Sequence, residues 1–185
     1  MPQTRRLIDV KIYLDTEEKL RRHWKIKRDV MTRGYSTEKI IKQIEMREED
    51  AQKYIHPQMH YSDLVIRFFS DDAYTEGDMS YNPKLMLKIL LKLDVEVEGI
   101  IEAFETLGHD IEHYYDSDMK FQHIILKDPV SVFELKKVSE QFIENIDEIV
   151  NGHEIEWLEG YHGFIQLMTL ALISHNLKKG DENEL

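Results

Sequence analysis

The 185-residue chain has no cysteine. That excludes disulfides, a thiolate nucleophile and every cysteine-built zinc site. It has no run of about 18 apolar residues, the length a membrane-crossing helix needs. Nothing behind the opening Met1-Pro-Gln-Thr-Arg-Arg reads as the apolar core of a signal peptide. A cytoplasmic protein without a membrane partner is the expectation. The chain has 8 glycines, no two of them five apart, so it contains no Gly-x-x-x-x-Gly-Lys-Ser/Thr phosphate cradle. Basic charge is in short supply too. Against 36 Asp and Glu stand 24 Lys and Arg, a net charge of -12, which argues against general nucleic-acid binding.

The few basic residues are not spread evenly. Residues 1–33 hold ten basic and five acidic side chains, a local balance of +5, which leaves −17 for the remainder. A basic beginning on an acidic body fits an anionic small ligand, since a phosphate needs a local cluster of cations and not a basic protein. A hydrophobic content of 42% suffices for one ordinary core.

Residues 7–14, Leu-Ile-Asp-Val-Lys-Ile-Tyr-Leu, read as a buried strand. Asp15 and Thr16 offer N-caps to a helix carrying Leu20, Trp24 and Met31, which stops at Gly34. Ser36 caps a second helix with Ile40, Ile44 and Ala51 on one stripe, ended by Pro57. Residues 63–69 read as a strand and 70–83 as a loop. Apolar residues at every odd position from Leu85 to Leu93 make 85–93 a strand. Residues 96–107 read as a helix, 111–115 and 121–126 as a hairpin, 132–150 and 161–177 as two further helices, and 180–185 as a frayed acidic end. The sum is one α/β domain: a mixed sheet with flanking helices.

Lys25, Arg28 and Arg33 carry the chemistry. On a helix Lys25 and Arg28 share a face, and Arg33 sits at the end beside a glycine that turns the chain. Arginine forks and a lysine point charge suit a polyphosphate or a transferring phosphoryl group. From charge alone, a solvated basic face paired with Glu17 or Glu18 is the better account. The order of residues favours the first alternative. A strand, Lys25-x-x-Arg28-Asp29-x-x-x-Arg33-Gly34, a helix, and Tyr54-Ile-His-Pro57-Gln58-x-x-Tyr61-Ser-Asp63-Leu-Val-Ile66 together resemble the phosphoribulokinase / uridine kinase family. Pro-Gln before Tyr-x-Asp resembles the phosphoribulokinases of cyanobacteria and plants more than uridine kinase. Gly160-x-x-Gly163-Phe164-x-Gln166-x-x-Thr169 is similar to that family's closing helix.

The resemblance implies the C-terminal portion of a P-loop kinase-like fold. Residues 1–69 would be the lid and the end of the core, and residues 70–185 an extension packed on it. It implies ATP-dependent phosphorylation of ribulose 5-phosphate with Mg²⁺, and so a place in the Calvin cycle. Arg28 and Arg33 would face ATP phosphates, and Lys25 would lie near the phosphoryl group or the sugar phosphate. Asp29 belongs to the motif and is assigned no chemistry beyond orienting Arg33. The family's P-loop, catalytic carboxylate and cysteine redox switch have no counterpart in these residues. Weak nucleotide binding and little turnover by this chain alone follow, together with a partner kinase half or a homo-oligomer. A non-catalytic regulatory or assembly module of the same fold is the alternative.

One further pattern, His109-Asp-Ile-Glu112-His113, matches a zinc-peptidase signature. That chemistry needs a helix. On the strand expected here the two histidines stand about 12–14 Å apart. The other histidines form no spaced set, and Trp24 and Trp157 read as core or interface residues.

Overall fold

Five strands form one mixed sheet in the order β1–β2–β3–β5–β4 in the computed structural model, which describes residues 7–183. Strand β1 (Ile12–Thr16) runs parallel to β2 (Leu64–Phe69). Strands β3 (Met86–Lys92), β4 (Ile111–Tyr115) and β5 (Phe121–Leu126) join by antiparallel pairing. Helices α1 (Glu18–Arg33) and α2 (Thr37–Asp50) lie between the two parallel strands in sequence. Helices α3 (Glu98–Thr106), α4 (Val132–Phe142), α5 (Ile146–Val150) and α6 (Tyr161–Asn183) follow. This is the α/β class the sequence pattern implies.

Register decides the core, because side chains alternate across a strand. Ile66, Ile89 and Ile124 align across β2, β3 and β5. They share a buried cluster with Phe104 of α3, Leu135 of α4 and Phe164 and Leu167 of α6. Gln122 is the polar exception on that face. Fully buried, it donates to the carbonyls of Lys92 (3.1 Å) and Val95 (2.6 Å) and accepts from His113 Nε2 at 2.9 Å, so its amide is satisfied. The closing-helix motif also serves packing. A Cβ at Gly163 would stand 2.1 Å from the Leu158 carbonyl oxygen, so only glycine lets the start of α6 approach this closely.

Several boundaries differ from expectation, each for a local reason. The first strand begins at Ile12 and not at 7, because Asp63 captures the preceding residue: the Lys11 N–H donates to Asp63 Oδ2 (2.7 Å). The strand then continues through Asp15 and Thr16. The helix cap accordingly falls on Glu17, whose own N–H donates to the Phe68 carbonyl at 2.9 Å. Pro57 does not end the second helix. The chain widens into a π turn at 51–55 and tightens into a 3₁₀ helix at 56–61, with Pro57 in its first turn, where a missing N–H costs nothing. The helix expected over 132–150 breaks at buried Ile143, which leaves helical angles (φ −108°, ψ 88°). The last helix runs on to Asn183. Arg5, Arg6 and the final two residues of the acidic end lie outside the described residues.

Asp63 joins three strands. Its backbone N–H donates to the Lys11 carbonyl (2.7 Å), and its carbonyl accepts from the Lys92 N–H (3.1 Å). Its buried carboxylate also pairs with the ammonium groups of Lys11 (3.1 Å) and Lys92. Burial alone would raise this carboxyl, but the bonds from Lys92 and Lys11 outweigh it and hold it below the usual carboxylate range. Its contribution is therefore present above the ordinary carboxylate value and is lost as pH falls through the depressed one. Asp63→Ala leaves two lysines facing each other. We expect urea titration near neutral pH to show a loss of about 2–3 kcal/mol, allowing for the partial exposure of both lysines. A loss under about 0.5 kcal/mol would mean that the junction is incidental.

Candidate functional site

Helices α1 and α2 form a hairpin with a small core of its own: Ile26 from α1 packs on Ile40 and Ile44 from α2. Gly34 makes the turn possible with φ +65°, in the left-handed region. Ser36 caps α2 by accepting from the Lys39 N–H, as its sequence position suggests.

The end of α1 carries a carboxylate almost without solvent contact. Asp29 is 1% exposed. Arg28 Nε donates to Asp29 Oδ1 at 2.8 Å, and Arg33 Nη1 lies 3.3 Å from the same oxygen. Two guanidinium groups, from either side of Asp29 in sequence, thus converge on one atom. Their side chains remain 58% and 55% exposed, so their other N–H groups face solvent. The hydrogen bond from Arg28, with the charges of Arg28, Arg33 and Lys25, holds the Asp29 carboxyl below its ordinary range. This carboxylate orients both arginines, where the sequence suggested at most one.

Lys25 lies one turn earlier. Among the described residues it has no carboxylate partner. Burial and then the neighbouring cation Arg47 push its ammonium down, with Arg21 and Arg28 acting in the same direction and Asp29 against. Arg47, on α2, likewise has no ion pair among the described residues. Its place was legible in principle, since it continues the Ile40–Ile44 stripe by three residues and so turns towards α1. Arg21, Trp24, Lys25, Arg28 and Met31 line an open groove of about 560 Å³. Glu18 engages Arg21 at 2.7 Å, while Arg28 and Arg33 pair with Asp29, and among the described residues no ion pair joins Lys25, Arg28 or Arg33 to Glu17 or Glu18.

A second cleft, of about 490 Å³, opens at the carboxyl ends of β1 and β2 on the half-open sheet face. Its arginine is already taken: Arg67 pairs with Asp15 at 2.5 Å. Glu17 and Glu18 add negative charge at its rim. Lys88 also lines this cleft, but it faces three acidic side chains there, whereas none lines the groove beside Lys25 and Arg28, so that groove is the better seat for an anion.

The zinc-like pattern comes apart in space. His109 Nδ1 meets Asp128 (2.5 Å), while His113 Nε2 meets Gln122. Among the described residues no three His, Cys, Asp or Glu side chains are grouped to hold a metal ion.

The family model described as Phosphoribulokinase / Uridine kinase family matches residues 2–74. Over that segment, about two fifths of the chain, the sequence is similar to this family. The matched segment holds Lys25, Arg28, Arg33 and Asp29. Among curated relatives, a phosphoribulokinase of Synechocystis sp. is 42% identical over 65 residues, covering 35% of this chain and 20% of the relative. The chloroplastic phosphoribulokinase of Arabidopsis thaliana is 44% identical over 103 residues, covering 56% and 26%. A uridine kinase of Streptococcus pyogenes is 40% identical over 63 residues, covering 34% and 30%. The solved phosphoribulokinase from Rhodobacter spheroides shares the fold, with a TM-score of 0.53 at 21% identity, over 80% of this chain and 51% of that one. The chain thus spans about half the length of that structure, and the matched segments cover a smaller share of the curated phosphoribulokinases.

The Asp29 arrangement makes a direct prediction. Carbon-13 NMR should find its carboxyl titrating below the usual carboxylate range, so the ion pairs persist above that value and are lost only as pH falls through it. Arg28→Ala should move the titration up towards an ordinary aspartate. No movement would show that Arg28 does not govern Asp29.

Proposed function

We propose that this chain supplies the lid and C-terminal part of a phosphoribulokinase-type kinase, which transfers a phosphoryl group from ATP to the free primary hydroxyl of ribulose 5-phosphate. Residues 1–69 form the lid and the end of the kinase core, and residues 70–185 the extension that packs with them. The carrying observation is the convergence of Arg28 and Arg33 on the buried Asp29, with both guanidinium groups left open to solvent. Planar forks held this way can grip the phosphate oxygens of ATP without first having to be ordered. Lys25, close by and without a carboxylate partner among the described residues, is suited to the transferring phosphoryl group or the sugar phosphate. Asp29 holds the arginines and takes no proton. Both arginines already occupy the Asp29 carboxylate, so the α1–α2 hairpin offers Mg²⁺ no ligand set among the described residues.

The 185 residues contain no P-loop, so the lid works over a phosphate cradle that they do not supply. Strand β1 supports docking of such a partner. It lies at the sheet edge, and its Ile12 and Leu14 are 43% and 76% exposed, although parallel strands are normally covered on both faces. The same edge would serve a non-catalytic assembly module, the second reading, so activity decides between the two.

Joined to a P-loop-bearing half of a phosphoribulokinase, fused or in trans, the chain should give ATP-dependent phosphorylation of ribulose 5-phosphate. The chain alone should give little. Arg28→Ala or Arg33→Ala should then lower kcat by about 10²–10³-fold. A reconstituted complex that forms but does not turn over would overturn the kinase reading and favour the assembly module.

A further inference from the structure

Between β2 and β3 the chain crosses residues 70–84 without regular structure, and helix α1 holds it in place. His23 faces it from the second turn of α1, fully buried. The backbone N–H of Gly77 donates to His23 Nδ1 at 3.2 Å, and His23 Nε2 lies 3.3 Å from the Tyr81 carbonyl oxygen. A backbone N–H can only donate, so Nδ1 must present a lone pair. The ring proton is then on Nε2, which donates to Tyr81. In this arrangement the imidazole is neutral.

Further contacts hold the segment down. Lys27 Nζ donates to the same Tyr81 carbonyl (3.0 Å) and to Asn82 Oδ1 (2.7 Å). Arg22 pairs with Glu76 at 2.7 Å. Lys19 Nζ lies 4.0 Å from the centre of the Tyr74 ring, which stacks on Tyr81. Asp72 closes the loop on itself by accepting from the Tyr81 hydroxyl (3.0 Å) and the Lys84 N–H (2.6 Å). Gly77 has φ +77°, and a Cβ there would stand 2.8 Å from Ile26 Cγ2, so the segment lies tight against the helix hairpin's own core.

We propose that residues 70–84 form a strap clamping the lid helix and that His23 is its pH-sensitive catch. A second proton would turn Nδ1 from acceptor to donor and set it head-on against the Gly77 N–H, beside the Lys27 ammonium. The charged and titratable groups around the ring are Lys19, Arg22 and Lys27 from α1, and Asp72, Tyr74, Glu76, Asp78 and Tyr81 from the strap. None of the carboxylates bonds the ring. Asp72 is held by Tyr81 and Lys84, Glu76 by Arg22, and Asp78 by Ser80. The strap therefore holds while the ring is neutral and loosens as the ring is protonated. Its effect on Lys25 and Arg28, two and five residues further along α1, rests on the kinase-lid reading. The catch itself does not.

Two measurements on the folded chain test this without nucleotide or activity, so they fail or succeed independently of the kinase reading. Nitrogen-15 NMR of the His23 ring near pH 7.5 should show the proton on Nε2. A proton on Nδ1 overturns the proposal. Hydrogen exchange at the Gly77 amide, corrected for its intrinsic pH dependence, should quicken about tenfold between about pH 7.5 and about pH 5.5, with β3 and β5 unchanged. Constant protection at Gly77 also overturns it. In His23→Gln, whose side chain gains no charge, the pH response should vanish, and its persistence would contradict the assignment. Should that variant not fold, the ring proton and the Gly77 exchange decide.

Discussion

A single buried oxygen, Asp29 Oδ1, organises the end of the α1–α2 hairpin, the element proposed above as a lid. Two arginines five residues apart in sequence would repel each other if brought together in isolation. The carboxylate between them removes that cost and fixes their direction, because a guanidinium held through one N–H presents the rest of its fork in a defined plane. Among the described residues neither Lys25 nor Arg47 has such a carboxylate partner, and the charge of Arg47 pushes the Lys25 ammonium down, so the groove keeps an excess of positive charge. The lid is thus part neutralised and part electrostatically open, which is the condition for recognising a polyanion locally on a protein whose net charge is -12.

The lid is attached to the body at few points. Its apolar cluster is separate from the main one. It is tied down where β1 meets β2, through Asp63, and along α1 by the segment between β2 and β3. A satellite unit with a small core and polar ties has a lower opening free energy than the sheet it borders. Such a unit would suit the lid role proposed above.

Much of this was legible in the residues. Gly34 and Ser36 mark the hairpin of the lid because each has a conformational task that few other residues perform, and the 111–126 hairpin follows from alternation alone. The misreadings share one cause: local pattern cannot see a long-range bond. Leu7 and Ile8 look like strand residues, yet Asp63, more than fifty residues away, sets where pairing starts. Apolar periodicity runs through Ile143, although the chain turns there to bury that side chain. At the site, the three cations stand out by spacing. Asp29 as the organiser of both arginines and Arg47 as a neighbour of Lys25 need the fold, since burial and interhelical proximity are not sequence properties.

The kinase reading requires Lys25, Arg28 and Arg33 to act together on one polyphosphate. It is tested most directly by titrating the isotope-labelled chain with tripolyphosphate while following the side-chain nitrogen signals of every lysine and arginine. The three lid signals should shift together along one saturable curve, weak in affinity, that Arg28→Ala abolishes. Shifts confined to cations elsewhere, such as Lys136 or Lys178, or three unrelated curves at the lid, would contradict the account.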